Sequence, residues 1–157
     1  DAGFRYLFGG GDFAGSQGPF YSPQAFHELV LPRLQQVTDI IHGRNAWSLF
    51  ASDGDLWSVA DDLFGASGVD GFYEIDRRAG MDLRRLRARY PQLTLLGGIS
   101  SHTLHVGSRE EVVEESRSAV EAAKELGRII VGVTNLPVPG TPVRNIVAML
   151  ETIEQHK

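Results

Sequence analysis

Short apolar runs alternate along this chain with stretches of helical periodicity. Five runs read as strands: Phe4–Phe8, Trp47–Ala51, Val69–Ile75, Leu93–Ile99 and Arg128–Val133. Between them lie amphipathic segments. Phe26, Leu29, Val30, Leu34, Val37, Ile40 and Ile41 mark one helix face, entered through Ser22 as N-cap and Pro23 at the first helical position. Pro32 falls inside that pattern and predicts a kink. Leu56, Val59, Ala60 and Leu63 mark a second helix, and Asp82 caps a short third one. Ser108 to Glu111 has the form of a capping box, opening a helix that stops at Gly127. Thr141 and Pro142 open the last helix. Five strand-loop-helix units in strict alternation imply parallel strands with right-handed crossovers. An open doubly wound sheet and part of a (β/α)8 barrel both fit, because a whole barrel takes about 250 residues.

Such sheets carry their sites at the carboxyl ends of the strands. The residues there are Asp12, Ser52, Asp53, Asp55, Glu74, Asp76, Ser100, Ser101, His102, Thr134 and Asn135. Acidic residues end a strand poorly unless they cap a helix or serve a site, so Asp12 and Asp53 are the catalytic candidates. Asp55 is better placed to cap the helix starting at Leu56. Glu74 and Asp76 alternate along one strand and should share a face, with an ion pair to Arg77 or Arg78 as the rival reading. Ser52, Glu74, Asp76, Ser100, His102 and Asn135 are the substrate-binding candidates.

Composition narrows the chemistry. The 157 residues suffice for one domain with a core, and 42% are hydrophobic. A net charge of -5 argues against a nucleic-acid partner. The basic run Arg84, Arg85, Arg87 and Arg89 reads as a solvated helix face. Without cysteine, no thiolate binds metal or attacks a substrate. His102 and His105 lie in a strand-to-helix loop, but no third ligand is in view, so no metal site is expected. His27 and His42 are read as helix-surface residues. With no membrane-length apolar run and no signal peptide, a cytoplasmic protein is expected. The first residue is Asp1 rather than Met, which suggests a processed or truncated start.

Several segments together resemble the uroporphyrinogen decarboxylase superfamily, in its carboxyl-terminal half. They are Gly11–Asp12 with Gly18–Pro19 and Ser22–Pro23; Ser52 to Leu56; Ala79 to Leu83; Leu96 to Ile99; and Pro139 to Pro142 with Asn145. The resemblance implies about five parallel βα units of an α/β fold, forming the carboxyl-terminal part of a (β/α)8 TIM barrel. Residues 1–157 would be one partial domain, its first strand corresponding to the family's fourth and its last to the eighth. The amino-terminal arginine and aspartate segments that grip substrate in the decarboxylases have no counterpart here.

The resemblance further implies action on a tetrapyrrole by porphyrinogen decarboxylation, or corrinoid-linked methyl transfer. The family is a lyase or a methyltransferase; this chain alone is expected to be inactive, and no cofactor is expected. The zinc-dependent methyltransferases place a His-x-Cys pair where this chain has Ala51 and Asp53. The decarboxylases place a histidine where it has Asn135. The alternative is a non-catalytic half-barrel that folds and self-associates without turnover. Open first and last strands favour a homodimer covering the barrel edges. An unrelated doubly wound binding domain ranks last, because Gly9 to Gly11 lacks the G-x-G-x-x-G spacing and no helix follows promptly.

Overall fold

The computed structural model describes residues 3–157. The chain opens with β1 (Tyr6–Gly10), a small hairpin of β2 (Ala14–Gly15) and β3 (Gly18–Pro19), and α1 (Pro23–Ala25). A π-helical turn (Phe26–Val30) leads into α2 (Leu31–His42), then β4 (Trp47–Ala51). A 3-10 turn (Trp57–Val59) and a π-helical segment (Asp61–Ala66) precede β5 (Gly71–Tyr73). The remainder is a 3-10 turn (Arg77–Ala79), α3 (Leu83–Arg89), β6 (Thr94–Ile99), α4 (Ser101–Val106), α5 (Arg109–Leu126), β7 (Ile129–Val133) and α6 (Val143–His156).

β1, β4, β5, β6 and β7 form one parallel sheet in that spatial order. Strands consecutive in the sheet order and joined each time by a helical crossover are the mark of a barrel arc. A doubly wound sheet reverses its order partway. One face of the sheet is buried under the helices: Phe50, Phe72, Leu95 and Ile99 are each at most 2% exposed. The register sets Tyr6, Phe8, Trp47 and Ile130 on the opposite face, where they are 45–64% exposed.

Local chemistry accounts for most helix starts. The Ser22 hydroxyl accepts from the Ala25 N–H, Asp82 from Arg84 and Arg85, and Ser108 forms the full capping box with Glu111. Ahead of Pro32 the helix widens rather than simply bending: the N–H of Leu31 bonds five residues back, to Phe26. The proline ring excludes the carbonyl four residues upstream, and a π turn accommodates that.

Four expectations are corrected. Strand β1 is displaced toward Gly10, because Gly9 and Gly10 pair with Phe50 and Ala51. Strand β5 covers only Gly71–Tyr73, because Glu74 leaves the extended region with φ 71°. His102 and His105 lie on a helix, α4, whose first turn is capped by the Ser100 hydroxyl. The fourth correction concerns the basic run. Arg84 pairs with Glu125, Arg89 with Asp61, and Arg85 stacks over Trp57, as a solvated face would. Arg87 turns inward instead and is 8% exposed.

Arg87 donates to the carbonyls of Tyr90, Pro91 and Leu93 through Nη1, and to those of Gly127 and Arg128 through Nη2. One guanidinium thus fastens the turn entering β6 to the turn entering β7. Loss of these charge-assisted bonds leaves buried carbonyls unmet. Arg87→Leu is expected to lower the unfolding free energy by about 3 kcal/mol in a urea titration. Arg87→Lys should recover less than half of that, because a single ammonium cannot span both turns.

Candidate active site at the strand ends

The acidic segment after β4 is shaped residue by residue. Ser52 is fully buried; its hydroxyl accepts from the Phe13 N–H (3.1 Å) and donates to the Asp53 carbonyl (3.0 Å). Ser52 therefore lies beneath the site and pins the β1 loop to the β4 loop. Gly54 has φ 83°, and a Cβ there would stand 2.7 Å from the Ala14 carbonyl. That close approach lets the hairpin rest on the loop, with the Asp55 N–H bonded to the Gly15 carbonyl (2.9 Å). Asp55 caps the turn that follows, accepting from the Trp57 N–H (2.9 Å). Asp53 alone of this segment lines the cavity.

The cavity holds about 350 Å³ and is lined by Asp53, Glu74, Asp76, Ser100, His102 and Asn135, with Ser16, Arg78, Ala79, Ser101 and Thr134. Six of the eight proposed site residues thus meet there. Asp12 and Ser52 stay outside, although the Asp12 charge is felt by both Asp53 and Glu74. The members come from four different strand ends. Asn135, after β7, donates through Nδ2 to Asp53 Oδ2 across the mouth (3.4 Å), while its Oδ1 accepts from the Leu136 N–H. Thr134 Oγ1 accepts from the Ser101 N–H (3.4 Å). Glu115 braces the rim from α5: its Oε1 accepts from the Ser100 N–H (3.0 Å) and meets Arg77 at 3.7 Å.

Glu74 and Asp76 reach the cavity by a route that alternation does not describe. Glu74 occupies the left-handed region just after β5. Asp76 caps the 3-10 turn, its Oδ1 accepting from the N–H groups of Arg78 and Ala79 (2.9 and 3.3 Å). Neither carboxylate pairs with Arg77, which turns to Glu115. Ser16 in the hairpin turn, Arg78 and Ala79 were not among the site residues expected from sequence. The run Gly15-Ser16-Gln17-Gly18, two residues between glycines, was the available signal for Ser16. His105 lies apart, with Nδ1 3.3 Å from Thr141 Oγ1; His27 and His42 sit on the helix surface against Asp62 and Asp70.

Electrostatics distinguishes two carboxyls. Burial raises the pKa of Asp53, and the Asp12 and Asp76 charges add to the rise, opposed by the Asn135 hydrogen bond. Burial likewise raises Glu74, reinforced by Asp53 and Asp12. Tyr73 is raised by burial and by Glu74. A raised pKa moves each carboxyl toward the range in which a side chain can exchange protons with a substrate. Among the described residues, no three His, Asp or Glu side chains converge into a set that would hold a metal ion. No helix among them is long and apolar enough to cross a membrane.

Sequential parallel βα units with an acidic cleft at their carboxyl ends define part of a TIM-type barrel. The chain belongs to the uroporphyrinogen decarboxylase (URO-D) family, whose model matches residues 11–156. Among solved structures, a methyltransferase from Methanosarcina mazei superposes with a TM-score of 0.74 at 20% identity. That likeness covers 98% of this chain and 43% of the other, so the chain spans under half of its neighbour's length. No curated protein matches in sequence.

The raised carboxyls have a consequence for stability. An acid whose pKa is higher folded than unfolded binds its proton more tightly in the native state, so it favours folding at low pH and opposes it once ionised. Asp53→Asn removes that penalty. Its melting temperature should exceed that of the parent protein at pH 7, and the difference should vanish as pH falls below the ordinary carboxylate pKa of about 4. Differential scanning calorimetry at both pH values is the check; an unchanged difference would show that Asp53 does not titrate abnormally.

Proposed function

We propose that this chain forms the acidic wall of a tetrapyrrole-binding cleft, with porphyrinogen decarboxylation as its chemistry. What carries the reading is the convergence of Asp53 and Glu74, both raised in pKa, in one cavity at the strand ends of a URO-D family chain. Loss of carbon dioxide from a pyrrole acetate begins with protonation of a ring carbon. Glu74, when protonated, is suited to supply that proton. Asp53, oriented by Asn135, accepts the pyrrole N–H and, when ionised, offsets the ring's positive charge. The bond between the arm's methylene and its carboxylate then breaks, carbon dioxide leaves, and the bonding pair neutralises the ring. A second proton, taken from solvent, converts the exocyclic carbon to methyl, and the ring returns its first proton to the Glu74 carboxylate. The net step consumes one proton per carbon dioxide released.

Asn135 in this scheme hydrogen-bonds but moves no proton. Corrinoid-linked methyl transfer is the second reading. It is supported by the methyltransferase fold neighbour, and the thiolate ligands of the zinc-dependent branch have no equivalent here. Anaerobic titration of porphyrinogen, with cobalamin as the other arm, followed by absorbance, separates the two. Porphyrinogen binding weakened at least tenfold by Asp53→Asn supports the first reading, whereas binding of cobalamin alone sinks it.

A non-catalytic, self-associating chain is the remaining alternative, favoured by the bare sheet face of Tyr6, Phe8, Trp47 and Ile130. A homodimer covering that face and its edges should show twice the chain mass in light scattering at micromolar concentration. A monomer at every concentration removes that proposal.

A further inference from the structure

Arg77 and Arg78 stand side by side in the turn after β5, yet they are used differently. Arg77 pairs with Glu115 outside the cavity. Arg78 lines the cavity, and its guanidinium has no ion pair or hydrogen bond with any described residue. The nearest acid in sequence, Asp76, points Oδ1 at the backbone N–H groups of Arg78 and Ala79 and so serves the turn, not the side chain. Arg78 thus keeps its donor fork free within a wall otherwise rich in carboxylates. Such a fork matches a carboxylate bidentately.

This chain's share of the cleft has a volume of about 350 Å³, roughly a dozen waters at about 30 Å³ each. That accommodates one five-membered N–H ring with short arms. The opposite charges within the lining then set an orientation: Asp53 and Glu74 suit an N–H or proton-accepting ring, and Arg78 suits an anion.

We propose that this cavity takes a single carboxylate-armed ring of the substrate, and that Arg78 selects it by binding the arm's carboxylate. The ring's identity rests on the tetrapyrrole reading above; the preference for a carboxylate arm does not. It also answers a charge problem, because an acidic mouth with no free cation would repel any acetate arm.

The test uses two small probes, pyrrole-3-acetate and its neutral amide, observed by ligand-detected NMR on the whole chain. The acetate should bind at least tenfold more tightly than the amide. Arg78→Met should abolish that preference, Arg78→Lys should retain part of it, and Arg77→Met should leave it intact. Arg78 is exposed, so its variants should fold, and circular dichroism verifies this. Equal binding of acetate and amide, no binding of either, or an undiminished preference in Arg78→Met overturns the proposal. Should the acetate preference hold while porphyrinogen fails to bind, the tetrapyrrole reading falls and the role of Arg78 stands. Should porphyrinogen bind equally to the parent and to Arg78→Met, the role of Arg78 falls alone.

Discussion

One-sided burial governs this structure. Five parallel strands can be joined only by crossovers, and every crossover here packs on the same face of the sheet. Phe50, Phe72 and Leu95 therefore lie in a continuous core with Phe26, Leu63 and Leu86, while Tyr6, Phe8 and Trp47 stay exposed on the other face. The same parallel order delivers every strand's carboxyl end to one rim. Site and bare face thus have a single origin: the topology that gathers Asp53, Glu74, Ser100 and Asn135 from four strands also leaves the other sheet face to be covered from outside the described arc.

The rim is held by short polar contacts rather than by apolar packing. Ser52 ties the β1 loop to the β4 loop, Asn135 ties the β7 loop to Asp53, and Glu115 ties α5 to the first turn of α4. Like charges can be kept close only when such contacts fix them, because repulsion among Asp12, Asp53 and Glu74 would otherwise spread the loops. The left-handed backbone of Glu74 belongs to the same picture. A non-glycine residue with φ 71° costs about 1 kcal/mol or more, and such strain persists where the surroundings over-determine it.

Legibility in the sequence followed interaction range. The caps at Ser22, Asp55, Asp82 and Ser108 involve partners two or three residues away, and each was readable from residue type and spacing. Five apolar runs gave five strands for the same reason. Arg87 was misread because its partners at Gly127 and Arg128 lie 40 and 41 residues off, and nothing within α3 distinguishes it from Arg85. Glu74 and Asp76 were assigned to the site but by the wrong geometry, since alternation presumes an extended chain that ends at Tyr73. Ser100 was chosen as a substrate contact; its hydroxyl is spent on capping α4, a helix with too short a hydrophobic pattern to be seen.

The departures from family pattern bear on one another. Where the zinc-dependent branch carries a cysteine, this chain has Asp53, and where the decarboxylases carry a histidine, it has Asn135, the very residue that donates to Asp53. In place of one branch's thiolate and the other's imidazole, this chain joins a carboxylate and an amide by a hydrogen bond. A carboxylate held by an amide can accept N–H bonds, whereas a thiolate would be the softer ligand for a metal. The residues that depart from both branches' patterns therefore form a hydrogen-bonded pair of their own, with the raised carboxyl of Glu74 lining the same cavity.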